Sequence, residues 1–264
     1  MIAITNNCEK FETLGQETRT RWWKPGHLEN ESAHSFEDFI KTFEDIKEET
    51  ITFLLDQSFL DIDHHFAQLF TDEWKASSIA MEDMFDTLNI YFENYHKLKS
   101  SNYGLLFIST QDRVATQYIT AMLRRKIIFS TEEERKAAVE KIKDESSLCK
   151  EFFTAVSGDK IDADFDSPFS VIDAFAGVIN ADEEMLSFDL MMLNSKYSDL
   201  SEDHIVCLLL LRGMTRNEAK QVASEISQEI GEANNTFKAK SILSNVQVTL
   251  SLMEKLSLFS NKNA

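Results

Sequence analysis

The feature that most constrains the fold is the recurrence of apolar residues at intervals of three and four along almost the whole chain. Two such stripes are Ile4, Cys8, Phe11, Leu14, Thr18 and Trp22, and then Phe36, Phe39, Phe43, Ile46, Thr50 and Phe53. This spacing places side chains on one face of an α-helix. Only two prolines and seven glycines interrupt the 264 residues, and the one strand-like run, YGLLFIS, is short. We therefore predict an all-α array of helical bundles.

An acidic segment without periodicity, GDKIDADFDS, divides the chain. Ser167, its last residue, and Pro168 after it form a typical helix start, since proline fits the first helical position. We predict a first helical bundle over residues 1–157, an acidic connector over 158–167 and a second helical bundle over 168–264. This division agrees with a soft expectation of about 150 residues per domain.

Several helix ends are marked by capping residues. Ser130 with Glu133, and Thr215 with Glu218, have the spacing of a capping box. We also expect Ser201 to cap the helix EDHIVCLLLL, and Gly213 to end it.

Three further boundaries follow from polar and small residues. Ser35 is expected to cap a long helix, and the segment 100–104, SSNYG, is expected to form a turn. A last helix is expected at roughly 236–259, where apolar residues again recur at helical spacing.

Charge and cysteine content exclude several function classes. The formal net charge is −18 and the sequence pI is about 4.7, so the chain as a whole repels nucleic acid, and we predict no nucleic-acid partner. The three cysteines are too scattered for a zinc knuckle, and we expect buried, reduced thiols in a cytosolic protein. The start MIAITNNCEKFETLG lacks the features of a signal peptide, and no apolar run reaches membrane-spanning length, so we expect a soluble protein.

The stretch LLDQSFLDIDHHFAQLFTDEW places two histidines among acids. Neighbouring helical side chains diverge by about 100°, so His64 and His65 cannot chelate one ion together. We expect Asp63 and His64 to be solvated and His65 to pack at the edge of an apolar stripe. The pair of His204 and Cys207 shares a helix face, and it is more typical of a core boundary than of a catalyst. We predict no metal, no cofactor and no catalytic residue, which leaves an enzyme only through a site built from distant residues.

Two local basic stretches, RTRWWK and MLRRKI, interrupt the acidic background. Arg124 shares a predicted polar helix face with Arg113 at steps of four, three and four through Gln117 and Thr120. We therefore take Arg113, Arg124 and Lys126 as the candidate patch for an acidic partner or an anionic membrane surface. The alternative is that such arginines pair with the abundant glutamates.

Three stretches carry a family resemblance. They are FLLDQSFLDIDHHFAQLFTDEW, VATQYITAMLRRKIIFSTEEERKAAVEKIKDESSLCKEFF and VIDAFAGVINADEEMLSFDLMMLNSKYSDLSEDHIVCLLLLRG. In this order they resemble the C-terminal region of the exocyst complex component 3 family, the Sec-six tethering subunit. The third stretch contains Lys196-Tyr197-Ser198-Asp199, Glu202-Asp203-His204-Ile205 and Arg212-Gly213, and Ser198 stands where the family usually has proline.

The resemblance implies an elongated rod of consecutive antiparallel helical bundles, as in subunits of multisubunit tethering complexes. It also implies a non-catalytic role in holding secretory vesicles at the plasma membrane before SNARE-mediated fusion. The partners implied are other exocyst subunits, SNARE proteins or their regulators, and a phosphoinositide membrane surface. The protein would then be cytoplasmic and peripheral at sites of secretion. The alternative is a paralogue resembling tumour necrosis factor alpha-induced protein two, which acts in membrane protrusion.

Overall fold

A computed structural model of the chain describes residues 1–22, 30–124, 127–158, 167–232, 241–246 and 248. The described residues form ten α-helices and no β-strand, so the all-α prediction is confirmed. The helices are α1 (Ile2–Trp22), α2 (Asn30–Phe66), α3 (Asp72–Ala76), α4 (Ile79–Tyr95), α5 (Ser100–Leu123), α6 (Glu132–Ser157), α7 (Ser170–Ile179), α8 (Leu186–Lys196), α9 (Glu202–Leu211) and α10 (Arg216–Glu232).

The chain packs into two compact units, each built from separate stretches of sequence. Among the described residues, unit 1 contains 1–22, 30–63, 84–110 and 155–158, and unit 2 contains 64–83, 111–124, 127–154, 167–232, 241–246 and 248. The division into separately folding domains at residues 157 and 168 stays a prediction. Residues 159–166 of the predicted connector lie outside the described residues.

The buried face of α1 in unit 1 differs from the predicted stripe. Thr5, Cys8 and Gly15 are buried, whereas Ile4, Phe11 and Leu14 are about half exposed. A Cβ on Gly15 would lie 2.8 Å from Cγ1 of Ile40, so the missing side chain lets α2 approach α1 closely. The predicted face was therefore wrong in part, since Cys8 is buried as expected, whereas the close contact at Gly15 leaves Ile4, Phe11 and Leu14 outside the buried face.

Helix α5 begins where a turn was expected. The segment 100–104 is helical from Ser100 onward, and the strand-like run YGLLFIS continues the same helix. Tyr103 and Leu106 are completely buried, and the hydroxyl of Tyr103 donates a hydrogen bond to the carbonyl oxygen of Val156. Burial of these side chains outweighs the cost of about 1 kcal/mol that a glycine such as Gly104 imposes on a helix.

The capping predictions have mixed outcomes. The capping box that starts α6 uses Thr131 and Glu134, one residue later than predicted. The backbone N–H of each residue donates to the side-chain oxygen of the other, at 3.1 Å in both cases. The box of Thr215 and Glu218 is confirmed at the start of α10. Gly213 follows α9 with a φ of 97°, so the predicted stop is also confirmed.

Two helix boundaries were predicted wrongly. Helix α2 begins at Asn30, before the predicted cap at Ser35. Within the expected last helix, 236–259, residues 241–246 are described, and they form an irregular segment with a turn. Apart from residue 248, the rest of that prediction lies outside the described residues.

Candidate functional site

The structure describes two of the three residues of the predicted basic patch. Arg124 is exposed directly after the end of α5, whereas Arg113 is half-buried within the helix and interacts with a neighbour. Lys126 and Arg125 lie outside the described residues. About three turns of helix, or roughly 16 Å, separate Arg113 from Arg124 along the axis. The patch stays a prediction, and Arg124 is its exposed described member.

The polar face expected between the two arginines is partly wrong. Thr120 is buried, and its hydroxyl donates to the carbonyl oxygen of Thr116 at 2.7 Å. Gln117 is half-buried. Because the hydroxyl of Thr120 is hydrogen-bonded to a carbonyl of its own helix, it does not require a bond to water and the residue can be buried.

The two adjacent histidines have the predicted environments. His64 is exposed, and His65 is buried with its ring centroid 3.8 Å from that of His64. Burial, reinforced by His64, lowers the pKa of His65 below its ordinary value, although Asp83 opposes the shift. The imidazole of His65 is therefore neutral at pH 7, as expected of a ring at the edge of a core.

A buried carboxylate, Glu145 on α6, joins three helices of unit 2. The indole Nε1 of Trp74 on α3 donates to both carboxylate oxygens, at 2.9 and 3.0 Å. The hydroxyl of Tyr118 on α5 donates to Oε2 at 2.6 Å. The ammonium of Lys141, one turn earlier on α6, lies 3.3 Å from Oε1. We call these four side chains the Glu145 cluster.

The same cluster holds the start of α4 through Lys141. Its Nζ donates to the carbonyl oxygen of Ser77 at 3.1 Å and to the hydroxyl of Ser78 at 2.7 Å. The ammonium also lies 5.2 Å from the centroid of the Trp74 ring, at cation–π distance. The ring of Phe70 also stacks on that of Trp74, with ring centroids 4.6 Å apart. Phe70 has a positive φ of 55°.

The chemistry of the Glu145 cluster is that of a structural support. Burial raises the pKa of Glu145, although three hydrogen-bonded partners oppose the shift. Burial likewise raises the pKa of Cys149 above its ordinary value, so this thiol stays protonated. Trp74 and Lys141 border a cleft of about 150 Å³ whose lining does not include Glu145. The hydrogen bonds and the ion pair of the carboxylate therefore hold α3, α5 and α6 together.

Arg212 and Gly213, at the end of the third quoted stretch, cap the C-terminal end of α7 and end α9, respectively. Arg212 is buried, and its Nη1 donates to the carbonyl oxygens of Val178 and Ile179 at 2.9 and 3.2 Å. These carbonyls lie at the C-terminal end of α7, where a positive charge is favourable. A Cβ on Gly213 would lie 3.0 Å from Cα of Ser130, so glycine is required there by both contact and φ.

Asp199 and His204 of that stretch both contact the segment 241–246, and Nε2 of His204 lies 3.2 Å from the carbonyl oxygen of Val246. Oδ2 of Asp199 accepts hydrogen bonds from the backbone N–H groups of Leu243 and Ser244, at 2.5 and 2.7 Å. His204 caps its own helix together with Ser201, as a capping box that uses histidine in place of glutamate. Sequence reasoning predicted the cap at Ser201 and missed the histidine, because an acid or glutamine is the usual partner.

Two kinds of site are not found in the part of the chain that the structure describes. No group of three or more His, Cys, Asp or Glu side chains is placed to hold a metal ion there. No helix among these residues is long and apolar enough to cross a bilayer.

Comparison with protein families and curated proteins gives consistent results. The family model of exocyst complex component Sec6 matches residues 1–252. Exocyst complex component 3 of Drosophila melanogaster is 32% identical over 239 residues, which cover 90% of this chain and 31% of that protein. The Caenorhabditis elegans protein of the same name is 23% identical over 186 residues, covering 68% of this chain and 23% of the relative. The chain thus spans about a quarter to a third of the length of these relatives.

Among solved structures, the crystal structure of M-Sec resembles this fold. The TM-score is 0.73, and the match covers 94% of this chain and 39% of that one. Sequence identity is 18%, so the likeness concerns the fold alone.

Proposed function

Because the chain belongs to the Sec6 family of exocyst complex components, we propose that it is a non-catalytic region of an exocyst subunit. Its role in this proposal is to help hold secretory vesicles at the plasma membrane before SNARE-mediated fusion. The observation that carries the proposal is the family match over residues 1–252. The use of Arg212, Asp199 and His204 as helix and turn caps supports it, because polar side chains held by the backbone in this way have a structural role.

The partners proposed are other exocyst subunits, bound through exposed helix surfaces. SNARE proteins or their regulators, and an anionic phosphoinositide surface, are further proposed partners. With a net charge of −18, contact with an anionic surface requires a local basic patch, for which Arg124, Lys126 and Arg113 are the candidates. The chain would then work in the cytoplasm, peripherally at plasma membrane sites of secretion.

A pull-down of the chain against each purified exocyst subunit tests the assignment. We expect at least one subunit to be retained, and retention to survive high salt, since buried apolar contacts are not screened. If no subunit is retained by the folded chain, the alternative paralogue, resembling tumour necrosis factor alpha-induced protein two and acting in membrane protrusion, replaces this proposal.

The membrane contact has its own test. Reversing the charge of Arg124 and Lys126 to glutamate should weaken flotation with phosphoinositide liposomes by about 1 kcal/mol per charge, or roughly thirty-fold together. Reversal of the exposed Lys10 and Lys41 on α1 and α2 is the matched control, with little expected effect. Equal losses in the two double variants would show that net charge, and not the patch, governs binding.

A further inference from the structure

Helix α8 in unit 2 is apolar on two faces. Leu186, Leu190 and Leu193 are buried against the unit. Met185, at the N-cap of α8, and Phe188 and Met192 within the helix are 48, 51 and 55% exposed, and they are spaced three and four apart. We call these three exposed residues the α8 stripe. A helix that is apolar on opposite faces is normally covered on both, so an exposed second stripe indicates a surface for a partner.

The side chains of the α8 stripe are of the kind that receive a helix. Methionine is unbranched and polarizable, so it adapts to the shape of a partner, and aromatic residues with methionine are enriched in interfaces. Anchors spaced three and four apart match the spacing on a second helix laid against them. The stripe therefore fits an amphipathic helix better than an extended peptide.

Charge at the start of α8 indicates the character of that helix. Asp182, Glu183 and Glu184 are exposed in the turn before the stripe, and no ion pair to them is found within the described residues. Two nearby cations interact electrostatically with these acids, Lys136 with Asp182 and Arg212 with both Asp182 and Glu183. Both have other partners at bonding distance, since Lys136 pairs with Glu132 and Arg212 caps α7. Three carboxylates without paired cations favour lysine and arginine on the partner.

We propose that the α8 stripe binds the apolar face of a basic amphipathic helix of a protein partner, whose positive residues lie over the 182–184 turn. An anionic membrane is disfavoured as the occupant, because the three carboxylates would repel it. The partner is defined by its chemistry, so its docking does not depend on which exocyst subunit the chain contacts.

The test uses a fluorescein-labelled model peptide built of leucine and lysine, with leucines spaced three and four apart. A second peptide of the same composition, with leucine and lysine alternating, controls for charge alone. Fluorescence anisotropy should show binding of the first peptide to the full chain and weaker binding of the second. The triple variant M185S/F188S/M192S should weaken binding of the first peptide at least tenfold. The triple variant D182N/E183Q/E184Q should weaken it severalfold, and less at high salt.

The matched control is the triple variant I4S/F11S/L14S, which removes three equally exposed apolar residues from α1. It should bind the peptide like the wild type, and circular dichroism should show native helix content in every variant. If the α8 triple variant loses helix content, the single variant F188S and the charge-neutral variant carry the same test.

Three results would overturn the proposal. The wild type could bind both peptides equally, or the α1 variant could lose as much affinity as the α8 variant. The α8 triple variant could also abolish a dimer detected by light scattering or binding to neutral liposomes, while leaving peptide binding intact, which would make a second copy or a lipid surface the occupant.

Discussion

Removal of the Glu145 carboxylate should destabilise unit 2 strongly. In Glu145→Ala, Nε1 of Trp74 and the hydroxyl of Tyr118 lose their acceptor inside the protein. A buried donor without a partner costs about 1–3 kcal/mol, which gives about 2–6 kcal/mol for the pair. Removal of the buried carboxylate also removes its desolvation cost, which offsets part of this loss. Lys141 keeps its hydrogen bonds to the residues before α4. We expect a net loss of about 3–4 kcal/mol in the free energy of unfolding.

Urea unfolding followed by far-UV circular dichroism measures this loss without relying on the fluorescence of Trp74 itself. Glu140→Ala removes an exposed glutamate from the same helix, and should change stability by less than about 0.5 kcal/mol. If Glu145→Ala costs less than about 1 kcal/mol, or no more than the control, the cluster does not join the helices as described.

The pH dependence of stability provides an independent readout of the same group. Burial raises the pKa of Glu145 above its ordinary value of 4.5. Between pH 4.5 and the higher pKa of the folded state, the Glu145 carboxyl is protonated in the folded protein and ionised in the unfolded chain. The contribution of Glu145 to stability is therefore present at low pH and falls as pH rises through this range. Glu145→Gln cannot ionise and should lack this fall. A difference between the two proteins that stays constant from pH 4 to 8 would contradict the raised pKa.

Two further pairs of substitutions test local features. Gly213→Ala should lower the free energy of unfolding by about 2–3 kcal/mol, because the residue has a positive φ and backbone atoms lie within 3.1 Å of the new Cβ. Gly177→Ala should raise it by about 0.5–1 kcal/mol, because this glycine lies inside α7 and has open space around it. Equal melting temperatures for the two would refute this reading. Phe66→Ala should cost about 3–5 kcal/mol and His64→Ala little, since the first side chain is buried and the second exposed; equal urea midpoints would mean that the face of α2 is misread.

Several features that depend only on neighbouring residues could be predicted from the sequence. The cap at Ser201, the stop at Gly213 and the box of Thr215 and Glu218 need only local hydrogen bonds. The face of α1 and the start of α5 could not be predicted, because contacts between distant residues decide them. Gly15 turns α1 toward α2, and burial of Tyr103 extends α5 through its glycine.

The sequence carries a signal for the buried carboxylate of the Glu145 cluster. Glu145 lies three residues after Ile142 and four before Cys149, within the stripe of α6 that is buried. An acid in an apolar stripe indicates a buried carboxylate with donors around it. Its donors could not be named, because Trp74 and Tyr118 come from helices whose packing the sequence alone does not specify. For the same reason the burial of Thr120 beside the predicted arginine patch was missed.

The block from Lys196 to Gly213 shows why a family resemblance need not mark a binding surface. Nη1 of Arg212 donates to two carbonyl oxygens at the end of α7, and the carboxylate of Asp199 accepts hydrogen bonds from the backbone of the segment 241–246. Substitutions at these residues should therefore lower stability first and partner binding only through it. Exposed side chains, such as the α8 stripe and Arg124, should show the reverse order. Measuring unfolding and binding on the same variants separates the two kinds of residue.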